Sequence, residues 1–168
     1  LFSKRPIEEL SDTVIGVTGE TSTSVRLMKV LFHHRFKVIP KEYVALERNK
    51  EAFLLIGDEA LRNRTGLSMY PFKYDLGEEW YRWTGLPFVF ARWVVRKDLD
   101  PGLVQWLNVS IAQSIQKGLA EVEQIADIRQ DLNMNRNEIV DYICSFHYRL
   151  GPNELKSIDR FKELLTTG

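Results

Sequence analysis

Between residues 13 and 34 the apolar pattern changes period, and that change constrains the fold more than any other feature of the chain. Thr13-Val14-Ile15-Gly16-Val17 is short, β-branched and bounded by turn residues, and it reads as a buried strand. From Ser24 onward the period is helical, predicting a helix over 23–34. Leu27, Met28, Leu31 and His34 share one face, and Arg26, Lys29 and His33 share another. The joint between the two periods is TGETSTS, Thr18 to Ser24. A strand that ends in Gly19 and delivers hydroxyls to a helix start can hold an anion. The first-turn N–H groups lack helical partners and the dipole is positive there. Ser22, Thr23 and Ser24 would add hydroxyl donors. The same residues also suit an ordinary Ser/Thr N-cap, and the motif alone leaves both readings open.

Further strands are expected at Phe36–Ile39 and Tyr43–Leu46, read as one or two, and at Phe53–Ile56, the strongest buried run, stopped by Gly57-Asp58. Glu47 to Glu51 reads as a loop or helical turn. Alternation of this kind implies an α/β fold with a parallel or mixed sheet, whose function tends to sit at the carboxyl ends of strands. Two places are selected: Gly19–Ser24 and Gly57–Glu59. Asp58 either caps a short helix over 59–64 or faces the hydroxyl cluster. Asp75-x-x-Glu78 opens a helix with Leu76, Trp80 and Trp83 on one face, closed by Gly85, and the tryptophans read as core. Residues 87–95, PFVFARWVV, read as a long strand with Arg92 interrupting it.

After Asp98 only helices are expected. Pro101 opens one with Leu103, Leu107, Ile111 and Ile115 in register, ended by Gly118, and Leu119 to Ala126 begin another. Asn135-x-x-Glu138 starts a third, with Ile139, Ile143, Phe146 and Leu150 aligned up to Gly151-Pro152. Leu155, Ile158, Phe161 and Leu165 mark the last. The boundary between the α/β half and the helical half falls near 96–100.

A net charge of zero with 27% charged residues lacks the basic excess of a nucleic-acid binder. The longest apolar stretch, broken by Arg92, is too short to span a membrane. A single cysteine, Cys144, permits no internal disulfide and reads as buried. His33, His34 and His147 have no carboxylate or second histidine at metal-ligand spacing, so no metal site is expected. No Walker loop, dinucleotide fingerprint or G-x-S-x-G is present, and no cofactor is expected.

TGETSTSVRL, FLLIGDEAL and DLGEEWYRWTGLPFVFARW, in that order and spacing, resemble the futalosine-pathway chorismate dehydratases of menaquinone biosynthesis, and YRLGPNELKSIDRFKELL is similar to that family's helical tail. The resemblance implies a type II periplasmic-binding-protein-like fold of two α/β lobes. It also implies a cytoplasmic lyase with chorismate as its small-molecule substrate, and it says nothing of oligomeric state. The sister enzyme that cyclises dehypoxanthine futalosine typically carries His-Glu-Gly where this chain has Gly57-Asp58-Glu59. A solute-binding protein for a small carboxylate is the other alternative, since one fold serves both. Chains of the family open with a further lobe-forming segment bearing an asparagine loop, which has no counterpart before Leu1. The resemblance therefore divides this chain into an inter-lobe connection (1–10), one α/β lobe (11–86), and a returning strand with C-terminal helices (87–168). It places the catalytic residues, the base included, in the absent segment. Gly19, Ser22, Thr23 and Ser24 are expected to hold a substrate carboxylate, and Asp58 to orient the leaving hydroxyl or close the cleft.

Overall fold

The computed structural model describes residues 1–19 and 22–167, and in it the alternation read from the sequence becomes one mixed sheet. The strands are β1 (Phe2–Ser3), β2 (Val14–Val17), β3 (Glu42–Ala45), β4 (Ala52–Leu54) and β5 (Phe72–Lys73), ordered β3-β2-β4-β1-β5. β2 runs parallel to both neighbours, with Val17 opposite Ala45 on one side and Leu54 on the other. β1 pairs antiparallel with β4 and β5. The three parallel strands thus bring their carboxyl ends to one edge.

Seven α-helices are formed among the described residues: α1 (Thr23–Val30), α2 (Gly57–Arg62), α3 (Leu76–Thr84), α4 (Pro101–Ala120), α5 (Val122–Ile128), α6 (Arg136–Cys144) and α7 (Pro152–Thr166). Two units divide the chain: Leu1–Ala91 with the C-terminal stretch from Leu150, and Arg92–Arg149.

In the first unit one sheet face carries Ile15 and Leu54 against Leu27, Met28, Leu31 and Phe32, with Leu76, Trp80 and Leu164 completing the core. Trp80 is fully buried and donates from its indole N–H to Ser157 Oγ at 3.0 Å, tying α3 to α7. Trp83, Phe88 and Phe161 pack edge-on around it at 5.4–5.8 Å. Trp80, buried, and Trp83, half-buried against the same core, lie on the face of α3 that the sequence reading made core. The opposite sheet face carries Phe2, Phe53, Leu55 and Tyr70. Glu79, buried on α3, pairs with Arg35 at 2.8 Å and Arg82 at 2.6 Å, so its charge is compensated twice. Removal of both partners would leave an uncompensated buried carboxylate.

Several elements differ from expectation. The helix predicted over 23–34 is α-helical only to Val30 and continues as a π-helical segment, Leu31–Phe36, closed by Lys37 in the left-handed region (φ 58°). The Val38 N–H then bonds to the Phe32 carbonyl at 2.8 Å, so Phe36–Ile39 ends a helix and forms no strand. Residues 87–95 form none either. Phe88 is held in the aromatic cluster with Phe161 at 4.9 Å, and no ladder partner lies beside the segment among the described residues.

In the second unit α4 passes the expected stop at Gly118 and ends at Ala120, and none of its side chains is buried. The Asn135–Glu138 capping box of α6 is present. That helix stops at Cys144, however, because hydroxyls take its last carbonyls: Ser145 Oγ donates to Tyr142 O at 2.7 Å, and Tyr148 Oη to Ile143 O at 2.9 Å. Phe146 and Leu150 are consequently half-exposed, and Cys144 is exposed rather than buried.

Candidate functional site

At the carboxyl edge of the sheet three loops emerge side by side. The first leaves β2 through buried Thr18 and exposed Gly19 and enters α1 at Ser22. Glu20 and Thr21, inside TGETSTS, lie outside the described residues. Ser22 is exposed and its hydroxyl makes no capping hydrogen bond, whereas Ser24 is buried and Thr23 half-buried. The first-turn N–H groups of α1 therefore do not receive the Ser22 hydroxyl as a partner. Gly19 has open space where a Cβ would stand, so packing does not demand glycine there.

The second loop leaves β4 through Leu55 and Ile56. Gly57 adopts φ +58°, a conformation that costs an L-residue energy, and the chain turns there directly into α2. Asp58 is exposed within the first turn of this helix. The N-cap is Ile56, and the helix begins at Gly57 instead of 59, so Asp58 stands inside the helix and does not cap it. Because Val17 and Leu54 are register partners, Gly19 and Gly57 each follow strand ends that lie about 5 Å apart.

The third loop, residues 46–51, takes in Leu46, expected as strand, and Glu47 to Glu51, expected as a loop or helical turn. It carries the chain from β3 across β2 to β4 in six residues, and it runs so close that a Cβ on Gly16 would meet the Glu47 backbone N and O at 3.2 Å. A glycine inside a strand is the sequence signal for such an approach. The Tyr70 hydroxyl donates to the Arg48 carbonyl and lies 3.0 Å from that of Lys50. Arg48 forms an ion pair with Glu59 of α2, and Lys50 pairs with Glu47 at 2.9 Å. Two carboxylates of this edge are thus matched by cations.

The histidines serve structure at the other end of α1. His34 Nε2 sits 3.0 Å from the Leu164 carbonyl of α7, and its ring packs edge-on to His33. Among the described residues, no three His, Cys, Asp or Glu side chains are grouped to hold a metal. No helix among them is long and apolar enough to cross a membrane.

A family model described as menaquinone biosynthesis matches residues 1–167. A protein of Thermus thermophilus named chorismate dehydratase is 27% identical to the chain over 186 aligned positions, covering 98% of this chain and 66% of that protein. The chain therefore spans slightly less than two thirds of the length of this curated relative.

Proposed function

The chain belongs to the menaquinone biosynthesis family, and on that premise we propose that it forms the carboxylate-binding lobe of a chorismate dehydratase with a type II periplasmic-binding-protein-like fold. One observation carries the reading. The start of α1, whose N-cap Ser22 makes no side-chain capping hydrogen bond, follows a strand end beside the one that leads to Asp58. The likeness to a relative named chorismate dehydratase supports the choice of substrate.

Chorismate has a ring carboxylate, an enolpyruvyl ether bearing a second carboxylate, and a ring hydroxyl beside the ether. Dehydration removes the proton on the ether-bearing ring carbon and expels the neighbouring hydroxyl as water. The product is 3-[(1-carboxyvinyl)oxy]benzoate, and aromatisation drives the loss. Because that proton is vinylogous to the ring carboxylate, its departure pushes electron density into the carboxylate. Donors that bind this group bind it more tightly as charge builds, lowering the barrier as well as holding the ground state. The backbone N–H groups of Ser22, Thr23 and Ser24 and their hydroxyls fill this role, with Gly19 allowing close approach. Asp58 orients the leaving hydroxyl. None of these residues is assigned as the base that takes the ring proton.

The test is to incubate the full-length protein with chorismate and follow the aromatic product by absorbance and mass. Absence of product, together with tight binding of a different carboxylate, would overturn the assignment. In the active protein, Ser22→Ala/Thr23→Ala lowers kcat/KM on the order of 100-fold. Unchanged kinetics would remove the anion site.

A further inference from the structure

Helix α1 and its π-helical continuation carry a charge asymmetry that the binding site does not use. From Ser22 to Lys41 the sequence contains no Asp or Glu but includes Arg26, Lys29, Arg35, Lys37 and Lys41, in a chain whose net charge is zero. Arg35 turns inward to Glu79 at 2.8 Å. Arg26, Lys29 and His33, spaced three and four residues apart, have the spacing of one helix face, and all three are exposed, as is Lys37 where the helix closes. Among the described residues Arg26, Lys29 and Lys37 enter no ion pair. The Lys29 ammonium stands 4.6 Å above the Tyr43 ring, held on the surface of β3.

Direction decides which of these cations matters. With a rise of 1.5 Å per residue, Arg26 and Lys29 lie about 5 and 9 Å along the axis from Thr23, whereas Lys37 lies about 20 Å away. Side chains on a helix lean toward its N-terminus, which favours the carboxyl edge of the sheet for Arg26, while the Lys29 ammonium is held over Tyr43, the register partner of Ile15. The Debye length at physiological ionic strength is about 8 Å, which keeps Arg26 effective there, weakens Lys29 at about one Debye length, and screens Lys37; at about 0.01 M it is about 30 Å and both nearer cations act. On the far side of the edge Glu47 and Glu59 are matched by Lys50 and Arg48, leaving the field of the α1 pair uncancelled by these two acids.

We infer that Arg26 and Lys29 are a steering pair, which concentrates a dianionic carboxylate substrate at the start of α1 without touching it. The inference rests on the carboxylate site proposed above and adds a role for residues outside it. Two cations at these distances attract a dianion enough to raise its local concentration about fivefold at low ionic strength, and by little at high ionic strength.

The experiment measures kcat and kcat/KM of the full-length protein for chorismate from about 20 to about 300 mM NaCl. The variants are Arg26→Gln/Lys29→Gln and a control of equal charge loss, Arg160→Gln/Lys162→Gln, on the outer face of α7. The α1 variant is expected to lose about fivefold in kcat/KM at the low-salt end, to keep kcat, and to converge on the wild type at the high-salt end. The control is expected to follow the wild type throughout. Equal losses in both variants, or a wild-type salt profile in the α1 variant, would overturn the steering role. Ser22→Ala/Thr23→Ala separates the two claims, since its loss is expected at every salt concentration. If that loss persists while the α1 variant behaves as wild type, the site stands and steering falls. If neither variant changes the kinetics, both fall.

Discussion

Gly16 shows how a single atom can set the shape of the edge. Its missing Cβ lets the Glu47 backbone cross over β2 and return the chain to β4 within six residues. Gly16→Ala forces either the Glu47 loop or Phe53, 3.1 Å from the new methyl, to move. Overpacking of this kind costs about 1–3 kcal/mol, readable as a fall in the urea midpoint with the slope unchanged. An unaltered midpoint would mean that the loop yields freely. Tyr43, under the Lys29 ammonium, has its phenol pKa raised by burial from 10.0 to about 12. The unfolded chain therefore releases this proton before the folded one does. The stabilisation is complete below pH 10 and is lost as pH climbs from 10 toward 12. Tyr43→Phe should flatten the alkaline part of the stability–pH curve, and an unchanged slope would assign it to other groups.

At the scale of elements, local chemistry and tertiary contact divide the control. Helix α3 is specified locally. The Asp75 carboxylate accepts from Gly77 N at 2.8 Å and Glu78 N at 3.0 Å, and Gly85 closes the helix in the left-handed region at φ 70°. Asp75→Ala should cost about 1 kcal/mol in thermal or urea unfolding, and Asp75→Ser should recover most of it. Equal losses in the two variants would show that capping is not the source. Helix α1 is different. Its periodicity runs past residue 30, yet the backbone widens there to a π-helical segment, with His34 against the Leu164 carbonyl of α7. The contact is between residues 130 positions apart, which no local window contains.

For the whole molecule, the four tryptophans report on different surroundings. Trp80 is fully buried, whereas Trp93 and Trp106 are 81% and 62% exposed. Acrylamide should therefore quench a large part of the emission readily and spare the remainder. Trp93→Phe/Trp106→Phe should remove the accessible fraction and shift the emission maximum to shorter wavelength. Loss of only the protected fraction would contradict the exposures. The second unit supplies one of these exposed indoles from α4, a 20-residue helix with a single charge at Lys117 and no buried side chain. Its start is fixed by Asp100, whose carboxylate accepts from Leu103 N at 3.0 Å.

By itself the sequence determined what depends on neighbours a few residues away: strand β2, the start of α1, the capped beginnings of α3 and α6, and the α/β-then-helical order. Each follows from apolar period, a cap residue or a glycine, and those forces act within a turn or two of chain. The two strand ends at Gly19 and Gly57 were legible for the same reason. Tertiary structure decided what depends on partners far along the chain. Residues 87–95 have β-branched and aromatic composition but no strand beside them among the described residues, and a ladder needs two strands. Cys144 faces solvent at the end of α6, where the Ser145 and Tyr148 hydroxyls bond the last carbonyls. The 46–51 loop, with Arg48 set against Glu59, is placed by Gly16 below and Tyr70 beside it. Apolar period specifies which face of an element is buried, but contact between elements specifies what it is buried against.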